Sequence, residues 1–261
     1  MSQAFNKPRK RFGQHFLHDP HVIARIVHAI NPQADDHMIE IGPGRGAITR
    51  PLLEHLRQLA IIEIDRDLVE WWQSQHLTNL VIHARDALKI DYCALQTDPQ
   101  RKLRIVGNLP YNISTPILFH LFEHLDCIED MHFMLQKEVV DRMCAAAGSP
   151  DYGRLSVMVQ YYCEVTQLFD VGPGAFTPPP KVDSSIVRLR PHAPGTYQVD
   201  EPVLQQLVSQ AFSQRRKTLR NSLKHWFSAE QIQALGIDPG IRPEQLDLAA
   251  FIKLAQAVTT P

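Results

Sequence analysis

Met38-Ile39-Glu40-Ile41-Gly42-Pro43-Gly44-Arg45-Gly46 is the stretch whose reading decides the fold. A short apolar run of β-formers leads into three glycines at alternate positions. A helical spacing of Ala47, Ile48, Leu52, Leu53 and Leu56 follows. That order predicts strand, tight turn and helix, the entry to an α/β domain whose first turn lets backbone approach a ligand closely. Gly42-x-Gly44-x-x-Ala47 also satisfies a relaxed dinucleotide fingerprint, and a glycine turn without any ligand reads the same way locally. Two residues tilt the reading. Glu40 places a carboxylate at the end of the strand, where it repels phosphate, and Pro43 removes a backbone N–H that a pyrophosphate would use. A nucleoside carrying positive charge suits this turn better.

Downstream, Leu59-Ala60-Ile61-Ile62-Glu63-Ile64-Asp65 is a continuous apolar run ending in acid, the pattern of a second buried parallel strand. Glu63 falls about twenty residues after the first glycine, where an acidic side chain takes the hydroxyls of a ribose. Asp65, on the opposite face, reads as a helix N-cap. A helix from Asp67 and a third strand, Leu80 to His83, lead to Asp86, placed to accept from an exocyclic amine of an adenine; aspartate is also common at such turns. A fourth strand, Leu103 to Gly107, delivers Asn108-Leu109-Pro110-Tyr111. An amide, an X-Pro bond and an aromatic in a row at the carboxyl end of a parallel strand form the most specific signal in the chain.

Upstream, Asp19-Pro20 starts a helix to Ile30. Beyond Asn112 the pattern gives a helix to Leu125, a strand Met131–Gln136, a helix Val139–Ala147, and a sixth strand within Leu155–Phe169. The proline-rich loop 172–181 feeds a seventh strand, Ser185–Leu189. Pro191 to Gly195 reads as a domain boundary, with a wholly helical pattern after it. The expected organisation is a domain over residues 1–194 and a small all-α domain over 195–261.

The 261 residues carry a net charge of −1, with 44% hydrophobic and 21% charged residues, which are the proportions of a globular protein with a real core. No apolar run approaches the roughly 20 residues of a membrane span, and residues 1–11 lack the apolar core of a secretory signal. Cys93, Cys127, Cys144 and Cys163 are widely spaced, which suggests reduced thiols in a cytoplasmic protein. His15, His18 and His21 recur every three residues, and His120 and His124 lie four apart. No cysteine or carboxylate completes a recognisable spacing, so no metal is expected. Basic residues cluster at Lys7, Arg9, Lys10 and Arg11, at Arg101, Lys102 and Arg104, and at Arg215, Arg216, Lys217, Arg220 and Lys224. Such clusters are phosphate contacts or solvated faces.

The glycine turn, Glu63, Asp86 and Asn-Leu-Pro-Tyr, in that order on successive strands, resemble the class I S-adenosylmethionine-dependent methyltransferases. Phe12-Gly13-Gln14-His15-Phe16-Leu17, Asn108 to Ile113, Phe176 to Ser184, and Gln214 to Asn221 together resemble the small-subunit (16S) rRNA adenine dimethyltransferases over nearly the whole chain. The resemblance implies a Rossmann-like sheet of about seven strands with helices on both faces, plus the helical carboxyl-terminal domain. It implies transfer of methyl groups from S-adenosylmethionine to the N6 amine of two adjacent adenosines in 16S rRNA, with a role in ribosome biogenesis. The cofactor residues it implies are His15, Leu17, Gly42, Gly44, Glu63, Asp86 and Asn108, although many relatives carry Asn where this chain has His15. It implies a catalytic set of Asn108, Leu109, Pro110, Tyr111 and Phe176, with Tyr111 and Phe176 sandwiching a base flipped from its stack. RNA contacts fall to Lys10, Arg11, Arg215, Arg216, Lys217 and Arg220, on a monomer that binds the small-subunit precursor. Other readings are a DNA adenine methyltransferase, a non-catalytic assembly factor on this fold, and a nicotinamide oxidoreductase, the last disfavoured by Glu40.

Overall fold

The computed structural model describes residues 15–214 and 216–258. In chain order its strands are β1 (Phe16–Leu17), β2 (His37–Ile41), β3 (Leu59–Ile62), β4 (Leu80–His83), β5 (Leu103–Asn108), β6 (Ile128–Gln136), β7 (Cys163–Val171), β8 (Phe176–Thr177) and β9 (Ser184–Pro191). The α-helices are α1 (Pro20–Ile30), α2 (Thr49–His55), α3 (Arg66–Ser74), α4 (Ser114–Phe122), α5 (Lys137–Cys144), α6 (Arg154–Tyr162), α7 (Glu201–Phe212), α8 (Leu219–Ser222), α9 (Ala229–Ala234) and α10 (Leu248–Ala257).

Seven strands form one sheet in the order β4-β3-β2-β5-β6-β9-β7. The pairs β4–β3, β3–β2, β2–β5 and β5–β6 are parallel, whereas β9 runs antiparallel to β6. The chain steps outward from β2 through β3 to β4, then returns to lay β5 on the other side of β2. That reversal leaves a crevice beyond the carboxyl ends of β2 and β5, where open α/β sheets bind ligands. The sequence explains the strands: Met38, Ile39, Ile41, Leu59, Ile61, Ile62, Leu103, Ile105 and Val106 are all buried, as strands covered on both faces require. Gly107 sits opposite Ile41, and a Cβ there would lie 2.6 Å from the Ile41 carbonyl oxygen. Only glycine permits that approach of β5 to β2, one residue before Asn108.

α1 begins as its sequence dictates: the Asp19 carboxylate accepts the N–H groups of His21 and Val22, and Pro20 occupies the first helical position. It ends at Asn31, which adopts the left-handed conformation. Below it, Arg104 of β5 is buried and donates to Asp36 at 2.6 Å, to both oxygens of Asp130 at 2.9 Å, and to the Ile30 carbonyl at 2.7 Å. This member of the Arg101, Lys102 and Arg104 cluster therefore locks the base of the sheet and is not available to nucleic acid.

Among the described residues, those to Val140 together with Thr166–Pro191 form one compact unit, and Asp141–Val165 with those from His192 form the other. The second unit thus takes in a stretch that the sequence pattern assigns to the first domain. Its core is Leu204, Leu207, Val208 and Ala211 of α7 with Phe251, Leu254 and Ala255 of α10 and Val157 of α6. Between Leu155 and Phe169, where the sequence predicts a strand, α6 precedes β7. Arg154 to Tyr162 buries Leu155, Ser156, Val157, Met158 and Val159 in succession, which hides the helical period.

Two expectations need correction. Phe16–Leu17 and Phe176–Thr177 form a two-stranded antiparallel sheet, Phe16 facing Thr177 and Leu17 facing Phe176, the second strand inside the stretch 172–181 read as a loop. Cys93 and Cys127 are joined in a disulfide with their Cα atoms 5.5 Å apart, so only Cys144 and Cys163 carry thiols. No helix of the described residues is long and apolar enough to cross a membrane.

Candidate functional site

A cavity of about 340 Å³ opens beyond the carboxyl ends of β2, β3 and β5. His15, Leu17, Gly42, Gly44, Glu63, Asp86, Asn108, Leu109, Pro110 and Tyr111 all line it. From Gly42 to Tyr111 these residues converge because they lie at or just past the ends of parallel strands, whereas His15 and Leu17 are brought in by β1.

The glycine turn forms the floor. Gly42, Gly44 and Gly46 all have positive φ, and at Gly46 (φ +85°) a Cβ would stand 2.7 Å from the Trp72 ring. The Trp72 indole N–H donates to the Gly44 carbonyl at 3.1 Å, fixing the turn against α3. Beside the turn, Glu40 is 2% exposed and its Oε2 is buried without a hydrogen-bond partner. Burial pushes its carboxyl up to about 7, and the nearby Glu63 adds to the rise. Glu40 was read from sequence only as a deterrent to phosphate; its orphaned oxygen makes it an active part of the wall.

Glu63 and Asp65 divide their work as their positions suggest. Asp65 caps α3 by accepting the Asp67 N–H at 3.2 Å. Glu63 Oε1 accepts the N–H groups of Ile64 and Asp65, both at 2.9 Å, which orients the carboxylate. Burial raises its pKa, and those two N–H groups oppose the rise. Asp86 uses Oδ1 to accept the Leu88 N–H at 3.0 Å.

The Asn-Leu-Pro-Tyr segment makes the opposite wall. Asn108 Nδ2 donates to the His15 carbonyl at 3.3 Å, so Oδ1 is left as an acceptor. The Leu109 N–H is held by the Met134 carbonyl at 3.2 Å, and the Pro110 carbonyl accepts from Ile113 at 3.1 Å. Tyr111 stacks on His15, centroids 5.8 Å apart and planes inclined at 25°, while its hydroxyl bonds the Ser184 hydroxyl at 2.7 Å. Burial raises the Tyr111 phenol pKa. His15 Nδ1 donates to the Pro178 carbonyl at 2.8 Å, anchoring β1 beside β8.

Phe176 stands apart from this set. It is 2% exposed, packs with Leu17, Ala175 and Val171 in the core, and does not line the cavity. Its strand pairing supports Leu17 from behind. Arg216, Lys217 and Arg220 are exposed on the second unit, whereas Lys10, Arg11 and Arg215 lie outside the described residues.

The wall fits a cationic nucleoside. Glu40, Glu63 and Asp86 supply three carboxylates, and a buried carboxylate oxygen without a donor is stabilised by a positive ligand. Of the cations in the lining, the Arg45 guanidinium lies 4.5 Å from the centre of the Phe16 ring and Arg85 is exposed.

Residues 5–259 match the family model described as ribosomal RNA adenine dimethylase. A ribosomal RNA small subunit methyltransferase A of Pseudomonas syringae pv. tomato is 54% identical over 263 residues, covering 99% of this chain and 98% of that protein. The protein of the same name from Pseudomonas aeruginosa is 54% identical over 98% of this chain and 96% of its own length. Among solved structures, a dimethyladenosine transferase from Plasmodium falciparum superposes with a TM-score of 0.77 at 28% identity, covering 92% of this chain and 96% of that one. The 23S rRNA methyltransferase ErmE gives 0.71 at 26% identity, over 93% and 99%.

Proposed function

Since the chain belongs to the ribosomal RNA adenine dimethylase family, we propose that its cavity binds S-adenosylmethionine and delivers methyl groups to the N6 amines of two adjacent adenosines in 16S rRNA. The protein is a methyltransferase acting on small-subunit ribosomal RNA. The observation that carries the reading of the site is the convergence of the orphaned Glu40 carboxylate, the oriented Glu63 and the Asn108 amide on one cavity.

When bound, the cofactor supplies a methyl group on a positively charged sulfur, open to attack by a nitrogen lone pair. The protein positions the attacking amine. An adenine amine is a poor nucleophile because its lone pair is conjugated into the ring. Asn108 Oδ1 accepts one of its hydrogens, and a backbone carbonyl of the Leu109-Pro110 turn accepts the other. Both bonds draw the nitrogen toward tetrahedral geometry and free the lone pair. Tyr111, braced by Ser184 and His15, offers a face on which the flipped base stacks. The methylated nitrogen is strongly acidic and sheds its proton without a strong base. Glu63 takes the ribose hydroxyls, and Asp86 accepts from the cofactor's adenine amine. Arg216, Lys217 and Arg220 hold RNA phosphates. We place the protein in the cytoplasm as a monomer, engaged with the small-subunit precursor during ribosome biogenesis.

Incubating the full chain with methyl-labelled S-adenosylmethionine and either undermethylated small subunits or duplex DNA tests this. Labelled N6,N6-dimethyladenosine in 16S rRNA is the expected product. Label in DNA alone identifies a DNA methyltransferase, and cofactor binding without label in either identifies an assembly factor.

A further inference from the structure

His120 and His124, near the carboxyl end of α4, take no part in the cavity above. In the sequence nothing completes them; in the fold, the chain on both sides does. The segment after Asp86 brings Asp91 and Cys93 to the histidines, and the turn leading into β6 brings Cys127. The ligating atoms of Asp91, Cys93 and His124 all lie within 4.8 Å of one another. His124 Nδ1 is 3.6 Å from Asp91 Oδ1, and Cys127 Sγ is bonded to Cys93 Sγ. His120, Glu123 and His124 form an adjoining set with the same spacing limit. There, His120 Nε2 donates to the Ile90 carbonyl at 2.8 Å, which turns Nδ1 toward Glu123 at 3.2 Å. Both imidazoles pack around the buried Tyr92 ring, centroids 5.6 and 5.8 Å away, so their orientations are set by the core.

We infer that Asp91, Cys93, His124 and Cys127 form a binding site for a zinc-class divalent cation, open when the two cysteines are reduced. Two thiolates, an imidazole and a carboxylate are a donor set that suits zinc and does not suit magnesium or calcium. The disulfide offers no thiolate, so the cross-link and the cation exclude each other. Conversion requires a dithiol reductant. The reductant passes two electrons and two protons to the protein sulfurs, which become two thiols, and is itself left as a disulfide. Cation binding then displaces both thiol protons to solvent. The arrangement adjoins the cofactor cavity without entering it: the Tyr92 hydroxyl donates to the Ala87 carbonyl at 3.0 Å, and Ala87 lines the cavity.

The full chain, reduced with a dithiol that is then removed under anaerobic conditions, is titrated with Zn²⁺ against a chromophoric chelator, and separately with Co²⁺. One Zn²⁺ per chain and cobalt spectra with thiolate charge-transfer and tetrahedral bands are expected. The oxidised chain should bind none. Cys93→Ser should weaken binding by more than the roughly 10–100-fold that follows loss of an outer hydrogen-bonding partner of a metal ligand. Cys144→Ser, outside the cluster, should bind as wild type. Asp91→Asn guards against misfolding, because its side chain is 68% exposed. A reduced chain that binds no stoichiometric Zn²⁺ would overturn the assignment. So would oxidised protein binding as tightly as reduced, or Asp91→Asn and His124→Ala both retaining wild-type affinity and cobalt spectra.

Discussion

Asn108 donates through Nδ2 to the backbone carbonyl of His15, 93 residues earlier in the chain. One side chain thereby joins the end of β5 to the segment that carries β1. Its oxygen and its nitrogen have separate duties. Asn108→Ala removes both and should lower methyl transfer by roughly 10²-fold or more, while cofactor affinity falls only in part. Asn108→Asp keeps the acceptor but loses the donor, and sets a charge against the His15 carbonyl. It should retain measurable transfer with a weaker hold on the 15–17 segment. Single-turnover assays resolving mono- and dimethyladenine decide this; an Asp variant as inactive as Ala, yet folded and binding cofactor, would defeat the acceptor model.

Glu63→Ala should weaken S-adenosylmethionine binding by about 1–3 kcal/mol, through loss of charge-assisted bonds to the ribose. Calorimetry on the folded variant checks it. Unchanged affinity would leave Glu63 as a brace for the backbone of Ile64 and Asp65 and nothing more.

Glu40 gives the site a pH dependence of known sign. In the free protein its carboxyl titrates at about 7, raised from 4.5 by burial. A cationic ligand favours the carboxylate, so binding releases a proton below pH 7. Affinity should climb as pH rises toward 7 and level off above it. Stability of the free protein moves oppositely: the contribution present below pH 4.5 is lost as pH rises through 7. Calorimetry in buffers of different ionisation enthalpy reads the proton release, and Glu40→Gln should reduce it.

Charge reversal at Arg216, Lys217 and Arg220 should flatten the salt dependence of RNA binding, by roughly 2 in the slope of log K against log salt if all three contact phosphates. Cofactor affinity should not change. A filter-binding series across salt concentrations measures the slope, and an unaltered value would make the cluster a solvated face.

Much of the catalytic unit was legible because its signals are local. The Asp19-Pro20 cap, the glycine turn and the buried runs at residues 59–62 and 103–106 each act within a few neighbours. What escaped reading depends on distance. Phe16–Leu17 and Phe176–Thr177 are strands of two residues whose only reason to be strands is each other, so no periodicity exposes them. Phe176 carries the look of an aromatic clamp, yet its register opposite Leu17 turns it into the core. Arg104 resembles its basic neighbours until Asp36 and Asp130 arrive from other elements. Cys93 and Cys127, 34 residues apart, are likewise joined only by topology.

The β1–β8 pairing has a consequence for the order in which the protein is made. His15 bonds to Pro178 across 163 residues, and the wall bearing His15 and Leu17 is held by a strand that closes one of the longest loops in the unit. A chain emerging from its amino end lays down the glycine turn, Glu63, Asp86 and Asn108 well before Phe176 exists to pair with Leu17. The catalytic wall of β5 thus precedes its facing wall, and the cofactor pocket is completed only after nearly the whole sheet has been synthesised. The β1–β8 contact therefore pays its loop-closure entropy only after the local turns of the sheet are already in the chain.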